Sequence, residues 1–337
     1  MRVLVTGGAG YIGSHTCIEL LNAGHEVFVI DNLSNGHEVA LERVRGITNC
    51  ELQFINADIR DTKALHKIFK TFTPEAVIHF AGLKAVGESV ADPLMYYDVN
   101  VGGSVSLLKV MSKVECNNII FSSSATVYGD PKYLPYDEEH PTNPVNPYGR
   151  TKLLIENIIN DWTKVDTKRR GTILRYFNPV GAHKSGQIGE EPIGIPNNLM
   201  PYIAQVADGR REYLSIFGND YETADGTGAR DYVHVVDLAL AHISALNQNK
   251  LNNFEILNIG GGKGTTVFEL LKTFEKTCGI SIKFKYLPRR DGDLAAFWAN
   301  SSKSYEKMRW KPERNINKIC EDTWRWHKLN PRGYGAK

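Results

Sequence analysis

Short apolar runs and polar stretches alternate regularly over the first half of the chain. Val3 to Val5 form one such run, and Gly7, Gly10 and Gly13 follow it at even spacing. Gly13, Cys17, Leu20, Leu21 and Gly24 then fall on one face of a helix, with Gly24 placed for a left-handed cap. Glu26 to Ile30 reads as a second strand stopping at Asp31, and Leu52 to Asn56 as a third, just before Asp58 and Ile59. Asp61 is positioned to cap a helix that buries Leu65, Ile68, Phe69 and Phe72. Ala76 to Phe80 is a fourth strand, followed by the small turn Ala81-Gly82; His79 within it reads as a packed core histidine rather than a ligand. Pro93 opens a long helix to about Val114, with Leu94, Tyr97, Val101, Leu108 and Met111 giving it apolar faces. Asn118 to Ser122 is a fifth strand running into Ser123 and Ser124. A proline-rich loop, Pro131 to Pro147, leads to a helix from about Tyr148 with Leu154, Ile155, Ile158, Ile159 and Trp162 on its buried side. Thr172 to Phe177 is a sixth strand.

This cadence predicts an α/β fold with a doubly wound parallel sheet of Rossmann type. In such sheets ligands bind beyond the strand C-termini, where Gly13, Asp31, Asp58, Gly82 and Ser124 all fall. After Asn178-Pro179 the texture changes. Residues 186–196 form a Gly-, Pro- and Glu-rich loop, whose Glu190 and Glu191 read as solvated rather than metal-binding. Short elements then mix, including strands at Leu214 to Gly218, Phe254 to Asn258 and Lys283 to Leu287. We therefore expect a nucleotide-binding domain over 1–180 and a smaller C-terminal α+β substrate domain over 181–337, some segments of which pack back on the first.

Composition narrows the partners. Net charge of +2 on 337 residues gives no strong attraction to nucleic acid or membranes, and hydrophobic content of 42% is ordinary for a globular protein. The first residues enter a strand directly, leaving no room for a signal peptide. Five cysteines, at 17, 50, 116, 278 and 320, are odd in number and never in C-x-x-C, which reads as thiols in a reducing cytoplasm without a metal site.

Two constellations carry chemistry. A glycine triplet alone is often only a turn, but here strand, glycines, helix, second strand and acid occur in order. That is a phosphate-binding turn opening onto a helix N-terminus. Asp31, eighteen residues after Gly13, stands where an acid accepts a ribose 2′-OH and repels a 2′-phosphate, favouring NAD over NADP. Tyr148 and Lys152 are four apart on one helix face, the ammonium close to the phenol. Lowering a phenol by about three units takes roughly 4 kcal/mol. One positive charge at about 4 Å supplies that order of energy at an effective dielectric of ~20. Lys152, together with a nicotinamide cation, would make Tyr148 a base, with Ser124 hydrogen-bonding the reacting oxygen.

The chain resembles the extended short-chain dehydrogenase/reductases and, within them, bacterial-type UDP-glucose 4-epimerases. The likeness is carried by VTGGAGYIGSH (5–15), DNL (31–33), HFAGLKAVGES (79–89) and FSSSATVYG (121–129). It continues through YFNPVGA (176–182), IPNNLMP (195–201), IFGNDY (216–221), RDYVH (230–234) and PRRDGD (288–293). It implies that Gly7, Gly10, Tyr11, Ile12, Gly13, Asp31, Asn32, Asn35, Asp58, Ile59, Phe80, Ala81, Gly82, Lys84, Tyr148, Lys152 and Phe177 line an NAD site. Asn100 would serve there where Val99 replaces an asparagine that relatives can carry. Lys84, Ser124, Tyr148 and Asn178 would meet the sugar, and Asn198, Leu199, Phe217, Arg230, Arg290 and Asp293 the uridine diphosphate. Arg230 alone reads equally well as a surface charge, whereas two arginines suit a pyrophosphate. Phe297 would fill the space an N-acetyl group needs, implying UDP-glucose and UDP-galactose as substrates over N-acetylated UDP-sugars.

The implied reaction is oxidation at C4, rotation of the keto sugar and re-reduction, within a homodimer that pairs the helices after Pro93 and Tyr148. A 4,6-dehydratase or decarboxylase on the same fold needs an acid beside Ser124, and Ala125-Thr126 carries none. A nucleotide-sensing protein would not need the tyrosine–lysine pair.

Overall fold

The early apolar runs become strands β1 (Arg2–Thr6), β2 (Glu26–Asp31), β3 (Gln53–Asn56), β4 (Ala76–His79), β5 (Asn118–Ser124) and β6 (Arg170–Tyr176). The computed structural model describes residues 1–192, 196, 198–247, 251–290 and 293–335. Ile195, Asn197, Asp291 and Gly292 of the family stretches lie outside the described residues. All six strands pair in parallel, and alternate residues feed opposite cores. Val3, Val5, Val27 and Val29 face one core with α1 (Tyr11–Asn22) and α2 (Glu38–Thr48). Leu4, Ile30, Val77 and Phe121 face the other with α3 (Thr62–Phe72). Asp61 caps α3, its carboxylate accepting from Lys63 and Ala64 amides. Gly24 has a φ of 77° just beyond α1. His79 is a core residue: Nδ1 lies 2.7 Å from Thr6 Oγ1 and Nε2 2.9 Å from Ser104 Oγ, and burial lowers its pKa to about 3.

The helix after Pro93 is not uniform. A short α4 (Val86–Ala91) precedes α5 (Pro93–Tyr96), a π-helical turn follows over Tyr97–Gly102, and α6 (Gly103–Lys113) completes the rod. Asp92 accepts from Met95 N at 3.1 Å, and Pro93 occupies the first turn, where no N–H is missed. The wider turn alters the phase of the apolar stripe: Asn100 is buried, while Leu94, expected on an apolar packing face, is 79% exposed. In α7 (Pro147–Lys164), opened by Asn146 accepting from Gly149 N, Ile155, Ile159 and Trp162 are buried. Leu154, expected with them, is exposed because it lies a quarter-turn off their face.

β7 (Asn178–Val180) leaves the sheet and pairs with β9 (Ala229–His234), after α8 (Leu199–Ala207) and β8 (Leu214–Phe217). The chain continues through α9 (Val235–Leu246), β10 (Phe254–Ile259), β11 (Gly264–Thr266), α10 (Val267–Cys278), β12 (Phe284–Leu287), β13 (Ala296–Phe297), α11 (Ser302–Met308) and α12 (Ile316–Leu329). Phe254 to Asn258 does not stay with the later elements as expected. β10 joins β6 in parallel, making a seven-stranded sheet of order β10-β6-β5-β4-β1-β2-β3. α9 covers it beside α1. A separate core packs α8, α10 and α12 through Met200, Ile203, Leu271, Phe274 and Ile319. Among the described residues no helix is long and apolar enough to cross a membrane.

Candidate active site

At the C-terminal edge of β1 the chain must double back tightly. A Cβ at Gly13 would sit 2.2 Å from Gly7 O, and Gly7 itself has a φ of 73°. No side chain caps α1, so its first-turn N–H groups are free for an anion beside Gly10, Tyr11, Ile12 and Gly13 on the cavity wall. These features fit a dinucleotide pyrophosphate. Asp31 is held from two sides, Oδ2 accepting from Ala9 N (3.0 Å) and Oδ1 from Leu33 N (2.9 Å). Burial nevertheless pushes its pKa up. Asn32 donates to Asp58 at 3.3 Å, and hydrogen bonds from Arg60 hold the Asp58 carboxyl below its usual range. Asn35, Ile59, Phe80, Ala81, Gly82, Lys84 and Phe177 line the same cavity.

Asn100 does not reach this wall; Val99 does. The asparagine turns inward, accepting from Leu83 N (2.7 Å) and donating to Leu83 O and Thr151 Oγ1, each at 3.1 Å. It buttresses the Gly82 turn, whose φ of 157° and 2.9 Å approach to Asn100 Oδ1 leave no room for a side chain.

Midway along the cavity α7 delivers Tyr148 and Lys152 opposite Ser124 at the end of β5. Lys152 Nζ donates to Ser122 O at 2.8 Å, lies 4.8 Å above the Phe121 ring and 5.8 Å from the Tyr148 ring centre. Burial lowers Lys152 to about 8, against the pull of Glu156, and raises Tyr148 to about 12, against a hydrogen bond from Ser124. Burial thus dominates the phenol here, where the expected base calls on Lys152 together with a nicotinamide cation. Thr126 donates to Ser124 Oγ from both N and Oγ1, at 3.2 and 3.0 Å, which leaves the Ser124 proton free to donate.

Behind Lys152, Glu156 was not singled out by sequence. Its buried carboxylate accepts from Ser123 Oγ and pairs with Arg175 at 2.6 Å. The i, i+4, i+8 spacing from Tyr148 was the available signal.

At the far end Arg290 makes two hydrogen bonds to Asp293, at 2.8 and 3.1 Å, over the Phe217 ring. Arg230 donates to Ala229 O and Leu294 O and lies 3.7 Å from the same carboxylate. Asn178, Asn198 and Leu199 also line this end, Asn178 donating to Asp231 O at 2.9 Å. Phe297 lies on β13 beside this end. Its ring packs on Phe177, 5.9 Å between centres, and under the Arg230 guanidinium at 4.9 Å, beside two residues of the cavity wall. Glu190 is a correction: far from solvated, it is 8% exposed and lines the cavity. The whole cavity encloses about 640 Å³. Among the described residues no group of three or more His, Cys, Asp or Glu could hold a metal.

The sequence profile of the GDP-mannose 4,6 dehydratase family matches residues 4–323. The UDP-glucose 4-epimerase of Mus musculus is 52% identical over 344 residues, covering 100% of this chain and 99% of its own. That of Bacillus subtilis (strain 168) is 52% identical over 336 residues, covering 99% of each. The chain belongs to the UDP-glucose 4-epimerase family. The Bifidobacterium longum UDP-glucose 4-epimerase, solved with NAD⁺ and UDP, superposes with a TM-score of 0.95 at 48% identity, covering 99% of this chain and 100% of its own. The Stenotrophomonas maltophila enzyme, solved with NAD and formylated UDP-arabinopyranose, gives 0.96 at 46%, covering 98% and 99%. The dehydratase profile spans a wider group than the epimerases, and the Ser124 site with its Thr126 partner holds no neighbouring acid in the sequence Ser124-Ala-Thr126.

Proposed function

We propose that the chain is an NAD-dependent epimerase that interconverts UDP-galactose and UDP-glucose through a 4-keto sugar. One observation carries the reading: Tyr148 and Ser124 stand in a single cavity that runs from the glycine turn to Arg230 and Arg290. When bound, NAD supplies the hydride acceptor for C4 and, in its oxidised ring, the second positive charge that Tyr148 lacks. The α1 N-terminus and glycine turn would hold its pyrophosphate, and Asp31 would accept from a ribose hydroxyl. Tyr148 Oη removes the 4-OH proton, Lys152 stabilises the phenolate and Ser124 Oγ orients the hydroxyl. Arg230 and Arg290 grip the UDP diphosphate, so the keto sugar turns about that linkage and presents its other face. Tyr148 Oη then returns the proton.

The same reading makes the protein a homodimer. Val86, Val90 and Leu94 on α4 and α5 are exposed, as is Leu154 on α7, against which both shorter helices pack. Leu94→Asp should give a monomer by light scattering; an unchanged mass would remove this face from the interface. Five free cysteines suit a reducing cytoplasm.

The test is an assay on purified protein without added NAD, offered UDP-galactose and UDP-N-acetylgalactosamine separately. Conversion of UDP-galactose supports the reaction and its retained cofactor. Conversion of both extends the range to N-acetylated sugars and discards Phe297 as the group that excludes them. Failure with both, even with NAD supplied, overturns the reading.

A further inference from the structure

Glu190 was given no role by the sequence, yet its carboxylate lies where the two parts of the cavity lining meet. Oε1 lies 3.5 Å from Lys84 Nζ and accepts from Asn198 Nδ2 at 2.8 Å. Lys84 belongs to the cofactor end, two residues beyond the Gly82 turn. Asn198 is the first residue before α8 at the nucleotide-sugar end, and its side chain caps nothing there. The backbone carrying Glu190 is fixed from behind. Trp326 Nε1 donates to Glu190 O at 3.3 Å, and Tyr334 Oη bonds Gly189 N and O at 3.1 and 3.2 Å. A Cβ at Gly189 would lie 2.4 Å from the Trp326 ring, so the clamp closes as tightly as the chain allows. A carboxylate this buried needs its partners in place. Lys84, by contrast, is 52% exposed and can move with an occupant.

We propose that Glu190 is a positioning residue that couples the cofactor end of the cavity to the UDP-sugar end by holding Lys84 and Asn198 on one carboxylate oxygen. The inference rests on the functional reading above. An occupant that orders Lys84 thereby orders Asn198, and the effect is reciprocal, as coupling between sites must be.

The test uses the holoenzyme and follows exchange of bound NAD for labelled NAD, with and without UDP. In the unaltered protein UDP should slow exchange about tenfold, within the usual range for coupled sites. Glu190→Ala should shrink that protection to less than about twofold. Glu190→Gln keeps an acceptor for Asn198 but loses the charge that holds Lys84, and should fall between. Lys84→Met, changed on the exposed partner, should lose the same protection with Glu190 in place, and the double variant should lose no more. In Glu190→Ala the KM for UDP-galactose should rise more than kcat falls. Undiminished protection in both Glu190→Ala and Lys84→Met overturns the proposal. An unaltered protein that retains no NAD, or ignores UDP, overturns the functional reading and the coupling with it.

Discussion

At the end of the cavity proposed to take the cofactor the groups on offer are mostly backbone: a glycine turn, a helix terminus, strand ends and an acid pinned by two amides. At the end proposed to take UDP they are side chains resting on side chains, with Arg230 and Arg290 on Asp293 and Asn198 on Glu190. Backbone groups are placed by the sheet and cannot change partners. Half-exposed ion pairs such as Arg290–Asp293 are worth at most about 1 kcal/mol and exchange partners readily. The contrast suits a cofactor that stays and a substrate that comes and goes.

The sharpest break in that comparison lies where the two ends meet. Tyr148→Phe should lower kcat by about 10³-fold while NAD stays bound, because only the proton acceptor is removed; unchanged turnover would falsify the assignment. Gly13→Ala strikes the backbone end. Its methyl cannot be placed beside Gly7 O, and NAD affinity should fall about a hundredfold, with 1–3 kcal/mol lost from stability, roughly the overpacking range. Retained NAD with an unchanged melting curve would show that the turn is less rigid than argued. Arg290→Ala strikes the other end and should weaken UDP binding by about ten- to thirtyfold while leaving NAD content alone. If NAD content falls in step, the two ends are not separate materials.

The smallest effect is a pH shift. The Lys152 ammonium is present below its pKa of about 8 and lost as the pH rises through it. Glu156 raises that pKa, so Glu156→Gln should move the basic limb of kcat down by about one unit. It should also lower the melting temperature, since Arg175 loses its buried partner. A basic limb that stays in place would free Lys152 from Glu156.

The cofactor half was legible because its signals are local. The Asp61 cap, the Gly24 stop and the Val3–Val5 apolar run each involve neighbours in sequence. What escaped depends on distant partners. Asn100 turns inward because of a π-helical turn and the Leu83 backbone, neither of which its own neighbours announce. Glu190 sits in a Gly- and Pro-rich loop that reads as solvated, and it is buried by Trp326 and Tyr334 from the end of the chain. The Tyr148–Lys152 spacing puts both groups on one helix face, but how far burial raises the phenol depends on the fold around it.

The seventh strand has a consequence for biosynthesis. β6 is made long before β10, and the residues between them build the later strands, α8 and the α9 helix that covers the sheet. Until Phe254–Ile259 has left the ribosome, Arg170–Tyr176 presents an open row of N–H and C=O groups on an otherwise finished apolar sheet. A nascent or prematurely terminated chain thus carries a template for pairing with its own copies, and a chaperone would have to shield that edge until synthesis closes it.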